Sequence, residues 1–129
     1  MNDAQVITHA EGFLAAWNTQ DVEAVVACYV PDVLYRDPNT RGEVRGADGL
    51  RRYLRKLFAA WTMHWSLREG FALKTPDGAA VLWRASFRRA GGTQTVEADG
   101  MDLVVLRGPL IERNEVYFDR AVLAGLMSG

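Results

Sequence analysis

The hydrophobic period of this 129-residue chain changes once, near Thr62, and that change limits the possible folds more than any other feature. Before it, apolar residues recur at helical spacing. Val6, Ile7, Ala10, Phe13, Leu14 and Trp17 form one stripe, and Val22, Val25, Val26 and Tyr29 form a second after a cap at Asp21. Pro31 is expected to stop the second helix. The third stripe, Leu50, Tyr53, Leu54, Leu57, Phe58 and Trp61, is the cleanest. After Thr62, runs such as AAVLWRASF and LIERNEVYF are separated by turn signals: TPDG at 75–78, AGG at 90–92 and RGP at 107–109. Four strands joined by hairpins follow from that spacing. Helices first and strands afterwards predict an α+β domain, three N-terminal helices packed in a curved, mostly antiparallel sheet.

Composition narrows what such a domain can serve. With 49% hydrophobic residues the chain can bury one sizeable core, so a single domain over 1–129 is expected. A formal net charge of −1 supplies no long-range field for nucleic acid or an anionic membrane, which leaves a small hydrophobic ligand as the expected partner. Arg51, Arg52, Arg55 and Lys56 make a basic stripe on the third helix, read as a solvated face. Cys28 is the single cysteine, so an internal disulfide and a clustered-cysteine zinc site are both excluded. His9 has no acidic or cysteine partner at metal spacing, and neither a metal nor a cofactor is expected. The opening MNDAQVITHAEGF lacks a basic region followed by an apolar run, and no stretch approaches the roughly 18 apolar residues of a membrane span. A cytoplasmic location is the expectation.

Within the helical half, VLYRDP stands out. A short strand-forming run (Val33, Leu34, Tyr35) ends in a carboxylate, Asp37, directly before Pro38. The proline ring drives Asp37 into an extended conformation, which restricts the direction of its side chain. Two uses are open: a carboxylate aimed into an apolar pocket, where poor solvation raises basicity, or an Asp-Pro turn that caps local amides.

The stretches FLAAWNTQDVEAVVACYVPDVLYRDP, RGADGLRRYL and IERNEVYFD resemble the nuclear transport factor 2-like superfamily, in particular its SnoaL-like and ketosteroid isomerase-like branches. The resemblance spans nearly the whole chain and implies a cone-shaped α+β barrel. It specifies fold well and chemistry poorly, because that superfamily holds isomerases, polyketide cyclases, epoxide hydrolases, dehydratases and non-catalytic domains. Asp37 matches the proton-transfer base of the isomerases. The oxyanion donors match less well: the first-helix tyrosine corresponds to Phe13, the third-helix tyrosine to Leu54 with Tyr53 adjacent, the second-helix tyrosine to Tyr29, and the protonated aspartate to Asp102, in a register uncertain by one residue. The aspartate–arginine–aspartate relay of the epoxide hydrolases is absent, since Ser86 follows Arg84 and Val116 stands at the last acid, although Tyr35 and Asp37 resemble that branch's water-holding pair.

Alternation sets the expected pocket wall. Val81, Trp83, Ala85 and Phe87 form the inner face of one strand; Asn114, Val116 and Phe118 form that of the last, with Glu115, Tyr117 and Asp119 outside. His64, between Met63 and Trp65, is expected on the outer face. Small Val116 and Ala85 beside Trp83 and Phe118 predict a flat apolar slot, closed from the helices by Phe13, Trp17, Tyr29, Leu54 and Phe58 and from the strand after the second helix by Tyr35. A sheet covered by helices on one side only leaves the other side to a second copy, so a homodimer is expected. The functional expectation is a cofactor-free acid–base enzyme, isomerase- or polyketide cyclase-like, acting on a hydrophobic ketone or ring with Asp37 as base. The alternative is a non-catalytic ligand-binding or dimerisation domain of the same fold.

Overall fold

A computed structural model describes residues 1–127. Helix α1 (Asp3–Asn18) opens on a capping box, in which Asn2 accepts from the Gln5 amide while the Gln5 side chain accepts from the Asn2 amide. It buries Val6, Ala10, Phe13, Leu14 and Trp17, the stripe expected from the sequence. Helix α2 (Val22–Val26) is capped by Asp21, and α3 (Gly46–Ala60) buries Leu50 and Leu54.

Two boundaries differ from the expected ones. Tyr29 does not continue α2 but starts β1 (Tyr29–Arg36), because its backbone is taken by Ile111 on the last strand, and Pro31 lies inside β1 rather than ending the helix. The β1 register shifts between Tyr29 and Leu34, which is where a strand tolerates a residue without an N–H. Trp61 likewise leaves α3 and begins β3.

The sheet holds six strands rather than the meander alone. A short β2 (Val44–Arg45) precedes β3 (Trp61–Ala72), β4 (Gly78–Arg89), β5 (Thr95–Arg107) and β6 (Leu110–Tyr117). Their spatial order is β2-β1-β6-β5-β4-β3, antiparallel throughout except where β1 runs parallel to β6. The sheet is curved and unclosed, α1 packs on β3 and α3 on β1, and the core fills the concave side. This is the cone-shaped α+β architecture. Val81, Trp83, Ala85 and Phe87 are all buried and His64 is exposed, as the alternation required. After β6 the chain turns into a short 3-10 helix (Arg120–Leu123) and α4 (Ala124–Met127), with Leu123 buried against the core. Among the described residues no helix is long and apolar enough to cross a membrane.

One edge of this sheet is finished by side chains. The turn after α1 places Asn18 and Gln20 beside β3, and their amides mimic a further strand. Asn18 donates to the Trp65 carbonyl (2.9 Å) and accepts from its N–H (2.7 Å); Gln20 donates to the Trp61 carbonyl (2.8 Å) and accepts from the Met63 N–H (2.6 Å). Gln20 reaches that position from a left-handed backbone, φ 53°. Such pairing blunts an edge that is otherwise open to a foreign strand. Asn18→Ala strips both groups of Trp65 of their partners and should lower unfolding free energy by about 1–3 kcal/mol. Asn18→Asp, which keeps the acceptor, should lie between. Urea denaturation of the three proteins checks this, and an alanine variant as stable as wild type would contradict it.

Candidate functional site

Asp102 faces inward. It pairs with Val81 on β4 and Val116 on β6, retains only 4% exposure, and so settles the register left open by the sequence. Its Oδ1 accepts from Trp83 Nε1 at 3.1 Å, and the Asn114 side chain is its second partner. Burial pushes this carboxyl up to about 7; the nearby charge of Asp37 adds to the rise, while the bonds from Trp83 and Asn114 oppose it. Gly100 makes the Trp83 contact possible. A Cβ there would overlap the indole and sit 2.7 Å from the Tyr117 carbonyl, so only glycine lets the ring lie against β5.

Behind Asp102 a chain of buried hydrogen bonds crosses the core. Trp17 Nε1 donates to the Tyr29 hydroxyl (3.2 Å), Tyr29 donates to Asn114 Oδ1 (2.7 Å), and Asn114 Nδ2 donates to the Leu103 carbonyl (3.2 Å). Burial, then the Asp102 charge, raises the Tyr29 phenol well above its ordinary range, which keeps it a donor.

In front of Asp102 lies a small cavity of about 20 Å³, lined by Phe13, Leu14, Trp17, Tyr35, Trp65, Asp102 and Val116. Trp17 stacks on Tyr35 (5.9 Å) and meets Trp65 edge-on (5.5 Å), so rings form most of the wall. The expected slot between Ala85, Trp83 and Phe118 is filled instead. Phe118 stacks on Phe87 (5.3 Å) and packs against Trp83 (6.1 Å), and Ala85 is buried beneath them. Leu54 is wholly buried, Phe58 supports Trp17 edge-on at 5.9 Å, and Tyr29 lies in the polar chain; these three stand behind the wall. Leu14 and Trp65 were not anticipated as wall residues. Their signals were present: Leu14 is one helical turn before Trp17, and Trp65 alternates with Met63 on β3.

Asp37 opens onto a different space. It lines an outer cleft of about 370 Å³ with Arg36, Pro38, Thr40, Gly42, Val116 and Tyr117. Its carboxylate serves the capping use weighed from the sequence, and both of its oxygens are occupied. Oδ1 accepts from the amides of Asn39 (2.7 Å) and Thr40 (3.2 Å), an Asx turn that Thr40 Oγ1 closes onto the Asp37 carbonyl (3.0 Å). Oδ2 accepts from the Tyr35 hydroxyl (2.7 Å) and, in a very short bond, from that of Tyr53. Burial, then the Asp37 charge, raises both phenols well above their ordinary range, so both stay donors at working pH. Two amides and two phenols occupy the four lone-pair sites of a carboxylate. Tyr53, the neighbour of the position where the resemblance placed a tyrosine, thus reaches the acid from α3. Asn39 in the same turn accepts from Arg120 Nε (2.7 Å), which ties the C-terminal segment to this corner.

The two carboxyl groups therefore flank one stretch of wall. Tyr35 lines the inner cavity with its ring while its hydroxyl holds Asp37, and Val116 borders both spaces. Among the described residues no three His, Cys, Asp or Glu side chains gather as metal ligands do.

Residues 10–114 match the SnoaL-like domain. No curated protein sequence matches the chain. Among solved structures, TerC crystallised with polyporic acid is 21% identical over 95% of this chain and 98% of that one, with a TM-score of 0.79. A ketosteroid isomerase-like protein from Erwinia carotovora atroseptica is 22% identical over 90% and 95%, with a TM-score of 0.72. A protein with a ketosteroid isomerase-like fold from Catenulispora acidiphila, in complex with trimethylamine, is 16% identical over 92% of both chains, with a TM-score of 0.80. At these identities the likeness is one of fold, and the matched span, from within α1 to Asn114 on β6, covers both carboxyl groups and every residue of the inner cavity but Val116: the chain belongs to the SnoaL-like domain family.

Proposed function

We propose that this protein binds a hydrophobic ring compound bearing an oxygen substituent and carries out acid–base chemistry on it through Asp102. The observation that supports the reading is a buried carboxyl at the end of an aromatic cavity, poised near pH 7. When neutral it donates to a carbonyl or enol oxygen; when ionised it accepts a proton, so both halves of an isomerase- or cyclase-like proton transfer are within its range. Family neighbours fit such a ligand class, since TerC was crystallised with polyporic acid. The pairing suggested by sequence, Asp37 as base and Asp102 as oxygen donor, requires a phenol to leave Asp37 Oδ2 first. A simpler assignment has Asp37 orient Tyr35 and the 37–40 turn, with Asp102 the group that exchanges protons.

Deuterium exchange at the α-carbons of 2-tetralone in D2O, followed by NMR, tests this. The protein should accelerate exchange over buffer, Asp102→Asn should remove the acceleration, and the Asp102-dependent part of the rate should rise with pH through about 7 as the base form appears. Binding of the ketone without exchange would leave the second reading, a non-catalytic binding domain, which the filled lone pairs of Asp37 favour. Asp37→Asn replaces an acceptor by a donor amid four donors, so it should cost about 1–3 kcal/mol of stability while the folded variant keeps Asp102-dependent exchange. An equally stable but inactive Asp37→Asn would restore Asp37 as the base.

The raised carboxyl also fixes a pH dependence of stability. The folded state holds the Asp102 proton more tightly than the unfolded chain, whose ordinary value is 3.8. Its contribution is therefore complete below that value and is lost as pH rises to about 7. Thermal melts between pH 4.5 and 8.5 should show wild-type stability declining up to about pH 7 and levelling above it, with a flatter profile in Asp102→Asn. Parallel profiles would mean that Asp102 titrates normally.

For assembly we propose a homodimer through the convex face of the sheet. Phe71, Ala80, Leu103, Glu115 and Arg36 lie on one registered row of that face, and Phe71 and Tyr117 remain 54% and 46% exposed. Light scattering should return twice the 14.4 kDa chain mass at micromolar concentration, whereas a monomer would contradict the pairing.

A further inference from the structure

The inner cavity and the outer cleft share a single residue, Val116. On β6 it lies directly opposite Asp102 on β5, and side chains so paired on one face of a sheet stand within about 5 Å of each other at Cβ. On its other side the cleft reaches Asp37, and Tyr35 spans the two, its ring on the cavity and its hydroxyl on the Asp37 carboxylate. The volumes are very unequal. About 20 Å³ holds one water-sized group, whereas about 370 Å³ lies within the range of small-molecule sites.

We propose that the two spaces are one ligand site divided by the Val116 side chain, and that Val116 sets its specificity by admitting a single-atom oxygen substituent to Asp102 while the ring stays in the outer cleft. This deepens the ligand reading above and rests on it. Fully engulfed ligands do not fit such a site, because the aromatic walls of the inner compartment are already in mutual contact. The ligand class is a flat one- or two-ring compound with a hydroxyl or carbonyl oxygen at its edge. The ring lies over the Pro38–Thr40 turn, and the oxygen points past Val116 to the buried carboxyl. A substituent one or two heavy atoms larger meets the Val116 methyl groups.

Binding of 2-naphthol, naphthalene and 2-acetylnaphthalene, measured by titration with NMR detection, tests the division. Wild type should bind 2-naphthol at least tenfold more tightly than naphthalene, which has no oxygen to place, and at least tenfold more tightly than 2-acetylnaphthalene, whose substituent is too large. Val116→Ala should bring 2-acetylnaphthalene within threefold of 2-naphthol. Val116→Thr, which keeps the wall's volume, should retain the wild-type order and separates loss of the wall from loss of folding. Asp102→Asn should reduce the advantage of 2-naphthol over naphthalene and leave the size discrimination in place. If 2-naphthol binds in an Asp102-dependent manner but Val116→Ala keeps the tenfold discrimination, the partition is wrong and the ligand reading survives. Wild-type protein that binds none of the three compounds overturns both.

Discussion

The parallel pairing of β1 with β6 is the contact on which the rest of the molecule depends. It joins the longer strand formed in the helical half of the chain to the last strand of the meander, and so brings together residues 79 positions apart, as at Arg36 and Glu115. Without it Tyr29 has no Asn114 to bond and Tyr35 no place in the wall. Asp37 would then lie apart from the cleft that Val116 and Tyr117 complete. Such a contact closes a long loop before it returns any burial, so it carries a large entropic cost. The pair is reinforced on its outer face. Arg36 places Nε (3.1 Å) and Nη2 (2.6 Å) on Glu115 Oε1, Arg113 donates to Oε2, and Tyr117 adds a short bond to Oε1. One turn earlier in the sheet, Arg107 bridges Asp32 and Glu112 in the same cross-strand sense.

The concave face needs a different solution, because polar groups there have no water to return to. Trp17, Tyr29, Asn114, Trp83 and Asp102 satisfy one another in sequence, and among the described residues no buried side-chain nitrogen or oxygen lacks a partner. A network of this kind is stabilising only when complete, since one missing member leaves its neighbours desolvated and unpaired. The single exception in charge is Asp102. Its donors meet the hydrogen-bonding need of the carboxyl but not the cost of an isolated charge in an apolar setting, so its proton is retained to about pH 7.

Much of this was legible in the sequence, for reasons that also mark where legibility ended. The helical stripes and the alternation of β4 are local patterns, and they placed Phe13, Trp17, Trp83 and Phe87 inside as observed. The family resemblance supplied the cone and singled out Asp37 and Asp102. Tyr29 was misassigned because a three-residue helical spacing continues smoothly from Val26, and only its pairing with Ile111, more than eighty residues away, converts it to strand. The phenols on Asp37 were hidden for a similar reason. Tyr35 is two residues away and on the same strand, but Tyr53 arrives from α3, and nothing in periodicity tells which side of a helix will meet a given carboxylate. The volume of the cavity is likewise beyond pattern: whether Trp83 and Phe118 border a slot or fill it depends on ring angles that alternation does not encode.

Two carboxyl groups on neighbouring strands carry the lesson of the fold. Asp102 on β5 and Glu115 on β6 lie one registered position apart in the sheet yet on opposite faces, since Asp102 pairs with Val116 and Glu115 with Leu103. Glu115 is drawn down to about 2, chiefly by the Tyr117 hydroxyl and further by Arg113 and Arg36, against the opposing effect of burial. Asp102, which has only neutral donors, is driven up to about 7. The same backbone therefore holds one acid permanently ionised as a structural anchor and leaves the other able to change charge near neutrality. When environments separate two carboxyl groups in this way, the one free to titrate is the one suited to chemistry. Here it is also the one that faces the cavity, so the pleat of a single pair of strands places the anchored carboxylate on the convex side of the sheet and the titratable one on the concave side.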